Sequence, residues 1–341
     1  MKIMMDAVFN HIGSLSTQFQ DVVSRGPKSR YYDWFYINEW PLTDDKGNLV
    51  PSRYRNFSVT MPKLNTENPE VIEFLLEITK YWTENYHIDA WRLDVANEVD
   101  HEFWRLFRKT VKSFNSNIYI LGETWHDSHV WLLGDQFDAT MNYPLTKPIL
   151  EWVATGNINA VDFHRMYVEA IVRYSDNINE SMFNLLDSHD TPRLLTLANN
   201  NLKRAEIAYA LLYLCAGTPC IFYGSELEVI GENDPGCRVP MPWERAKSTL
   251  FYQLQKLIKI RKEEQAFHGS TSFLYIGTNE LIFKKVQEDE EVLVFINLTK
   301  TEKAYNISDY TKKLQLENLI TNETLFGPNV TVEVEGYRIL K

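Results

Sequence analysis

Two carboxylates and an arginine in the sequence have the types and spacing to cleave a glycosidic bond. Asp94 and Glu123 lie at the ends of consecutive apolar segments, and Arg92 precedes Asp94 by two residues. If both segments are neighbouring strands, about 4.8 Å apart, the two carboxylates can face each other across one bond. A retaining glycosidase needs a nucleophile and a general acid whose carboxyl groups are about 5 to 5.5 Å apart. Glycoside hydrolysis is therefore the chemistry that these residues favour.

Further polar side chains follow the same kind of apolar segment along the chain. They are Asp6, Asn10, His11, His189 and Asp190. The carboxyl ends of strands in an α/β barrel or sheet meet on one face, so these groups are expected to converge. The alternative is that each belongs to a separate structural ion pair, which is common for a single group. Burial of so many charges at one end of successive strands is costly without a function, so a shared site is favoured.

A metal-dependent hydrolase is the competing interpretation of the first of these groups. Asp6, Asn10 and His11 have side chains that can ligate a cation. However, two histidines at i and i+4 and a bridging pair of carboxylates are missing from this set. No metal ligands are therefore predicted.

Short apolar runs that alternate with helical patterns predict β/α units and a parallel sheet. The strand candidates are 2–9, 89–95, 118–125, 136–142, 182–189 and 219–226. Apolar residues repeat with a helical period over 71–82 and 251–258. Asn68 and Pro69 suit the start of the first of these helices. Segment 13–60 is aromatic and polar and too long for a passive connection, so it is expected to be a functional excursion.

The pattern changes near residue 270 to short strands separated by turns, which predicts an antiparallel β domain. The strand candidates in this region are 271–277, 281–287, 291–298, 313–320 and 331–340. The expected organisation is a catalytic β/α domain over 1–268, which includes the excursion 13–60, followed by a β-sandwich domain over 269–341.

Composition restricts the partners and the compartment. The formal net charge is −11 and no block of Lys or Arg occurs, so nucleic acid and an anionic membrane are disfavoured as partners. The three cysteines lack CxxC spacing, which argues against a disulfide framework or a zinc site and favours a reducing cytoplasm. The apolar patch at the N-terminus is broken by Asp6 and is too short for a signal sequence or a membrane span.

Six segments, in this order and spacing, resemble the signature regions of glycoside hydrolase family 13, the α-amylase family. They are DAVFNH (6–11), MPKLN (61–65), WRLDVANE (91–98), GETW (122–125), LLDSHD (185–190) and GTPCIFYGSE (217–226). MPKLN and VANE are similar to the subgroup that holds neopullulanase, cyclomaltodextrinase and maltogenic amylase, and QFDATMNYP and NDPGCR add to this similarity. The resemblance runs nearly from end to end.

The resemblance implies a role for each matching residue. Asp94 would be the nucleophile, Glu123 the general acid/base and Asp190 the carboxylate that stabilises the transition state. The implied substrate-binding residues are His11, Arg92, His189, Asn97, Glu98 and Trp125, of which the last three would line the leaving-group side. Arg92 would hold Asp94 ionised and oriented. Partial desolvation beside aromatic residues such as Trp125 would favour the protonated form of Glu123.

The resemblance also implies what this chain does not contain. DAVFNH matches the end of the third strand of a (β/α)8 barrel, so a partial TIM barrel of strands three to eight is expected. The N-terminal β domain of the subgroup, which commonly supports dimerisation, has no counterpart, so a homodimer is expected for a longer parent protein. Calcium stays open, because Asn10 matches a calcium-binding position of many amylases, whereas the subgroup often lacks the ion; no cofactor is required.

The expected function is that of a retaining hydrolase of α-1,4 glucosidic bonds, with α-1,6 glucosidic bonds as a second option. Cyclodextrins, pullulan and malto-oligosaccharides are the expected substrates. A transglycosylase or an α-1,6-glucosidase of the same family is the first alternative, since the same carboxylates would serve it. An inactive fragment or a non-catalytic sugar-binding protein is the alternative of another class.

Overall fold

A computed structural model describes residues 1–313 and 315–341 of the chain. The contacts within it divide the chain into two compact units, Met1–Met141 and Asn142–Lys341. No helix in the described part of the chain is both long and apolar enough to cross a membrane.

The first unit is built on a parallel sheet flanked by helices. Its strands are β1 (Met4–Ala7), β2 (Asn56–Ser58), β3 (Met61–Pro62), β4 (Ala90–Leu93), β5 (Tyr119–Gly122) and β6 (Ala139–Thr140). Its helices are α1 (Thr17–Arg25), α2 (Pro69–Tyr86) and α3 (His101–Phe114), with short 3₁₀ turns at Gly26–Lys28, Tyr32–Trp34, Pro51–Arg53, Ala96–Glu98 and His129–Trp131. The parallel strands follow the order β1-β4-β5-β6. The predicted strands in this unit are confirmed, although each is shorter than its apolar segment.

Helix α2 begins where the sequence predicts. The side chain of Asn68 accepts a hydrogen bond of 2.9 Å from the backbone N–H of Glu70, and Pro69 occupies the first helical position. Val71 and Leu75, on the apolar stripe of the helix, are buried. This packing fixes one of the helices that support the parallel strands.

The excursion between β1 and α2 forms a small local core. Trp34 and Phe35 are almost fully buried, and the ring of Phe35 packs edge-on against Phe19 of α1 at a centroid distance of 5.0 Å. The indole N–H of Trp34 donates to Glu70 at 2.9 Å. Trp34 and Phe35 therefore serve packing rather than an open stacking surface.

The second unit combines helices, a short parallel pair of strands and an antiparallel sheet. Its helices are α4 (Tyr143–Ile149), which continues as a π-helical turn (Leu150–Ala154), α5 (Ala160–Ile171), α6 (Asp176–Ser181), α7 (Leu194–Leu197), α8 (Leu202–Leu214) and α9 (Thr249–Glu263). Its 3₁₀ turns are Ser225–Leu227, Gln265–His268 and Ile307–Asp309. Its parallel strands, β7 (Phe183–Asn184) and β8 (Thr218–Pro219), pair with each other. Only Pro219 of the candidate strand 219–226 lies in a strand, and residues 223–226 form a turn and the start of a 3₁₀ turn.

The C-terminal part of the second unit is antiparallel, as predicted. Its strands are β9 (Ser270–Ile276), β10 (Glu280–Gln287), β11 (Glu290–Asn297), β12 (Lys303–Asn306), β13 (Gln315–Asn318), β14 (Glu323–Phe326), β15 (Asn329–Val332) and β16 (Gly336–Leu340). The larger sheet has the order β14-β13-β16-β11-β10-β9, and β12 pairs with β15. The candidate strand 331–340 is two strands, because the chain turns at Glu335, whose φ is 48°. Leu314, in the candidate strand 313–320, lies outside the described residues.

One hydrophobic core joins α8 and α9 to the antiparallel sheet. Leu211 and Leu254 on the helices belong to the same buried cluster as Phe283 and Val294 on the strands. The division into domains 1–268 and 269–341 stays a prediction, and its boundary falls within a continuously packed unit.

Candidate active site

The parallel register of the first unit places Arg92 on β4, between the neighbouring strands β1 and β5. Arg92 lies opposite Asp6 of β1, and Leu93 lies opposite Gly122 of β5. Asp94 and Glu123 are each the first residue after their strand. The two carboxylates therefore leave adjacent strands at the same end of the sheet, as the sequence predicts.

Arg92 contacts three carboxylates with its two terminal nitrogens. Nη1 donates to Asp6 at 2.9 Å and to Asp94 at 2.7 Å, and Nη2 forms an ion pair with Glu123 at 2.8 Å. Burial opposes the charge of the guanidinium, but the negative charges of Glu123 and Asp6 outweigh it and raise the pKa of Arg92. This single cation holds Asp94 and Glu123 close together.

The backbone after β4 adds a second contact to Glu123. The N–H of Val95 donates to Oε2 of Glu123 at 3.1 Å. Val95 adopts a left-handed conformation with φ 45° and ψ 42°, which is costly for a β-branched residue. The side chain of Glu123 is only 6% exposed. Backbone strain at Val95 thus accompanies the orientation of a buried carboxyl group.

His11 lies at the end of the segment that follows β1 and is stacked on Phe57. The two rings are 5.1 Å apart with an interplanar angle of 10°. Burial lowers the pKa of His11 below its usual 6.5, although the nearby charges of Asp94 and Glu98 oppose this shift. His11 is therefore a neutral imidazole at pH 7, suited to hydrogen bonds with hydroxyl groups. The sequence reasoning missed the contribution of Phe57.

The residues predicted for the leaving-group side follow the catalytic strands directly. Asn97 and Glu98 lie in the 3₁₀ turn after β4, and Trp125 lies two residues after Glu123. Asn97 and Glu98 are exposed, and the Trp125 side chain is 50% exposed. This exposure is suited to contacts with a bound ligand.

The second unit carries the other two predicted residues, His189 and Asp190. Nε2 of His189 lies 3.1 Å from Oδ2 of Asp190, and Arg238 donates to Oδ1 of Asp190 at 3.2 Å. Arg238 also contacts Asp234 at 2.8 Å. Asp190 is therefore held by an arginine, as Asp94 is in the first unit.

Residues 1–260 match the family model described as the alpha amylase catalytic domain. The chain belongs to the α-amylase family. It is 42% identical over 354 aligned residues to a maltogenic alpha-amylase of Bacillus acidopullulyticus, an alignment that covers 100% of this chain and 60% of the relative. It is 45% identical over 303 residues to an intracellular maltogenic amylase of Bacillus subtilis, covering 87% of this chain and 51% of the relative.

The fold agrees with this membership of the α-amylase family. A solved structure of a cyclomaltodextrinase superposes with a TM-score of 0.90 at 36% sequence identity, covering 100% of this chain and 60% of that one. The chain thus spans between half and three fifths of the length of these relatives. The α/β fold with a partial barrel and an antiparallel C-terminal sheet is confirmed.

In many members of the α-amylase family the position that matches Asn10 binds calcium. The surroundings of Asn10 in this chain do not fit that ion. The ammonium of Lys63 donates to Oδ1 of Asn10 at 2.5 Å, and it also contacts Oε2 and the backbone oxygen of Glu98 at 3.0 and 2.9 Å. A calcium ion would meet a positive charge at the oxygen it needs. Within residues 1–313 and 315–341, no group of three or more His, Cys, Asp or Glu side chains is placed to hold a metal ion.

The sequence reasoning also missed a buried polar cluster in the second unit of this α-amylase family member. Asp187 accepts hydrogen bonds from the N–H of Leu194 at 3.0 Å and from Ser225 at 2.7 Å. Burial raises the pKa of Asp187, against these hydrogen bonds and the charge of Arg193. Asp187 stands within the quoted segment LLDSHD, so burial of an apolar-flanked carboxylate was the available signal.

Proposed function

We propose that this protein is a retaining glycoside hydrolase that cleaves α-glucosidic bonds by double displacement. Asp94 is the nucleophile, Glu123 is the general acid/base, and Asp190 takes the role of the matching family position, stabilising the transition state. The observation that carries the proposal is the contact of one guanidinium, that of Arg92, with both Asp94 and Glu123. Such a bridge suits the separation of about 5 to 5.5 Å that double displacement requires.

In the first displacement, an oxygen of Asp94 attacks the anomeric carbon while Glu123 gives its proton to the glycosidic oxygen. The carbon–oxygen bond breaks, the leaving sugar departs as an alcohol, and a covalent glycosyl ester forms on Asp94. Oε2 of Glu123 accepts a hydrogen bond from the N–H of Val95 and lies 2.8 Å from Nη2 of Arg92, which orients this carboxyl group.

In the second displacement, Glu123 acts as a base. It removes a proton from water as the water oxygen attacks the anomeric carbon, and the ester bond to Asp94 breaks. The sugar is released with the configuration of the substrate, and both carboxyl groups return to their starting protonation states. When a sugar hydroxyl replaces water, the same step transfers the glycosyl group.

The remaining residues bind the substrate in this proposal. His11 and His189 bind hydroxyls of the sugar at the cleavage point, and neutral His11 can both donate and accept. Asn97, Glu98 and Trp125 contact the leaving group or the acceptor, where an exposed indole offers a flat apolar face to a sugar ring.

The proposed substrates are cyclodextrins, pullulan and malto-oligosaccharides. Support comes from relatives named maltogenic amylase and cyclomaltodextrinase. We also propose a cytoplasmic location, supported by the relative named intracellular and by three cysteines that are all free in the structure. A homodimer is proposed for a longer parent protein.

The decisive experiment compares the wild type with Glu123→Gln and Asp94→Asn on β-cyclodextrin, pullulan and starch. Wild type is expected to release reducing ends, and each variant to release at least about 100-fold fewer, because the proton donor or the nucleophile is lost. Glu102→Gln, which changes an exposed glutamate on α3, serves as the control and retains activity. Equal release by wild type and Glu123→Gln contradicts the mechanism, and absence of release by wild type contradicts the hydrolase proposal for this chain.

A maltosyl fluoride resolves the two displacements, because fluoride leaves without a proton. Glu123→Gln is expected to accumulate a protein adduct with the mass of a maltosyl group, attached to Asp94. Asp94→Asn is expected to form none. Product analysis by chromatography then separates hydrolysis from transfer and α-1,4 from α-1,6 cleavage.

A further inference from the structure

Arg193 is a fully buried cation in the loop that follows His189 and Asp190. Its Nε donates to the backbone oxygen of Cys237 at 2.9 Å, and its Nη1 donates to the backbone oxygen of Tyr223 at 2.5 Å and to Ser225 at 3.2 Å. The guanidinium carbon lies 3.9 Å from the ring centroid of Phe222. Arg193 thus makes three hydrogen bonds and one ring contact to a single segment, 222–237, and these four contacts together are called the clamp.

A compensating carboxylate accompanies this buried charge. Asp187 shares the hydroxyl of Ser225 with Arg193, since Ser225 donates to Oδ2 of Asp187 at 2.7 Å. Nη2 of Arg193 is nevertheless buried without a hydrogen-bond partner. A buried guanidinium with an unsatisfied nitrogen costs stability, so the other contacts of Arg193 must offset this cost.

The end of the clamped segment, Cys237, and the adjoining Arg238 contact the proposed site residues of this unit, His189 and Asp190. The thiol of Cys237 and Nε of Arg238 both donate to the backbone oxygen of His189, at 3.0 and 2.9 Å. Nη2 of Arg238 donates to Asp190. By fixing the backbone at Cys237, Arg193 sets where the neighbouring Arg238 can place its guanidinium.

We propose that Arg193 is a positioning residue for His189 and Asp190, acting through the backbone of Cys237 and the side chain of Arg238. The inference rests on the proposed function for its catalytic consequence, but not for its structural one. Arg193 itself touches no substrate. Loss of the clamp lets Asp190 leave the orientation in which it stabilises the transition state, and small displacements of a catalytic group can cost about 100-fold in rate.

Arg261 provides a matched control in the same unit. It is a partly buried arginine whose guanidinium also donates to backbone oxygens, those of Tyr213, Cys215 and Gly217. These oxygens lie at and after the end of α8, and their residues belong to neither of the segments 187–193 and 222–238. Arg261→Met therefore removes a comparable clamp without touching the proposed one.

The test measures backbone amide exchange and kinetics in Arg193→Met, Arg193→Lys and Arg261→Met. In Arg193→Met, amides of 187–193 and 231–238 are expected to exchange at least about 10-fold faster than in wild type. The kcat on 4-nitrophenyl α-maltoside is expected to fall about 100-fold with KM within a few-fold. Arg193→Lys is expected to recover part of both, since it keeps the charge but not the fork of donors.

Unchanged exchange at 187–193 in Arg193→Met overturns the proposal, as does an equal loss of kcat in Arg261→Met. If wild type has no hydrolase activity, the proposed function fails, and the exchange data still decide whether Arg193 positions the loop. If Arg193→Met does not fold, Ser225→Ala replaces it, because that variant removes one hydroxyl contact of the clamp. Faster exchange confined to the same two segments then supports the proposal, and wild-type exchange there overturns it.

Discussion

The ammonium of Lys63 donates a hydrogen bond of 2.5 Å to the side-chain oxygen of Asn10, which follows strand β1. Lys63 thereby places a positive charge where a bound cation would otherwise lie. The same ammonium binds Glu98 twice. A covalently attached cation cannot dissociate, so this part of the structure keeps its positive charge at any calcium concentration. Lys63 also connects the segment MPKLN (61–65) with the segment VANE (95–98).

Removal of calcium is expected to leave the stability of this protein unchanged, whereas Lys63→Met is expected to lower it. The substitution deprives Asn10 and Glu98 of their donor and should cost about 1 to 3 kcal/mol in the free energy of unfolding. Urea unfolding with and without EDTA measures both effects. Lys80→Met, on the exposed side of α2, is the control. A wild-type transition that moves down with EDTA and returns with calcium would refute this view.

The stability of the protein is expected to fall as the pH drops below 6.5, because of His11. Its pKa is lowered by burial in the folded protein, so the unfolded chain binds more protons in this range. The stabilisation is fully present above the unfolded pKa and is lost as the pH falls through the folded pKa. One such group contributes at most about 1.4 kcal/mol per pH unit.

Two variants assign this pH dependence to His11. His11→Gln should flatten the slope of unfolding free energy between pH 7 and 5, whereas His129→Gln, which changes an exposed histidine, should not. Phe57→Ala uncovers the stacked ring and should return the pKa of His11 toward 6.5, as measured by NMR titration of the imidazole. A slope that both glutamine variants share with wild type would exclude His11 as its source.

Asp138 is expected to matter for stability and not for catalysis. It pairs with Arg108 at 2.7 Å and Lys112 at 2.8 Å and accepts the N–H of Ile120 at 2.9 Å, near the start of β5. Strand starts in such folds serve stability, whereas strand ends carry the site. Asp138→Asn should lower the unfolding free energy by about 1 to 3 kcal/mol and leave KM unchanged.

The surface pair of Arg165 and Glu169 provides the contrast for this measurement. Both side chains are more than half exposed, at 61% and 57%. Glu169→Gln should therefore change the unfolding free energy by less than about 0.5 kcal/mol in urea. Equal destabilisation by Asp138→Asn and Glu169→Gln would show that burial of the Asp138 network contributes nothing.

The strand-end carboxylates were predictable because they depend on local pattern and on the common direction of parallel strands. Asp94 and Glu123 follow apolar runs, and the alternation of a strand explains why Arg92 and Asp94 are close. The family resemblance assigned roles that these patterns alone left open. Periodicity and an N-cap likewise located helix α2 within a few residues of its bounds.

The missed features depend on contacts between distant segments, which no local pattern reports. Phe57 and His11 are 46 positions apart in numbering yet stack, and Arg193 binds Cys237, 44 residues away. The strands β12 and β14 were missed because four-residue strands at the protein surface have mixed polarity. The desolvation expected for Glu123 beside Trp125 also needs coordinates, because burial depends on the whole fold.

Replacement of Arg92 by lysine is expected to disable the first unit's part of the site although the charge is conserved. The two terminal nitrogens of Arg92 contact Asp94 and Glu123 separately, and a single ammonium cannot occupy both positions. One carboxylate would lose its cation in a buried setting, which costs about 3 to 5 kcal/mol when the pair is fully buried.

Arg92→Lys is therefore expected to reduce kcat on maltosyl substrates by at least about 100-fold and to lower the unfolding free energy measured in urea. Arg105→Lys is the matched control, because Arg105 bridges Asp135 and Glu102 at the exposed surface of α3 and should tolerate the change. The stability measurement needs no turnover, so it remains decisive on its own. Wild-type stability together with wild-type kcat in Arg92→Lys would contradict this prediction. It would show that one positive charge, without the two separate nitrogens of the guanidinium, is enough to hold Asp94 and Glu123 together.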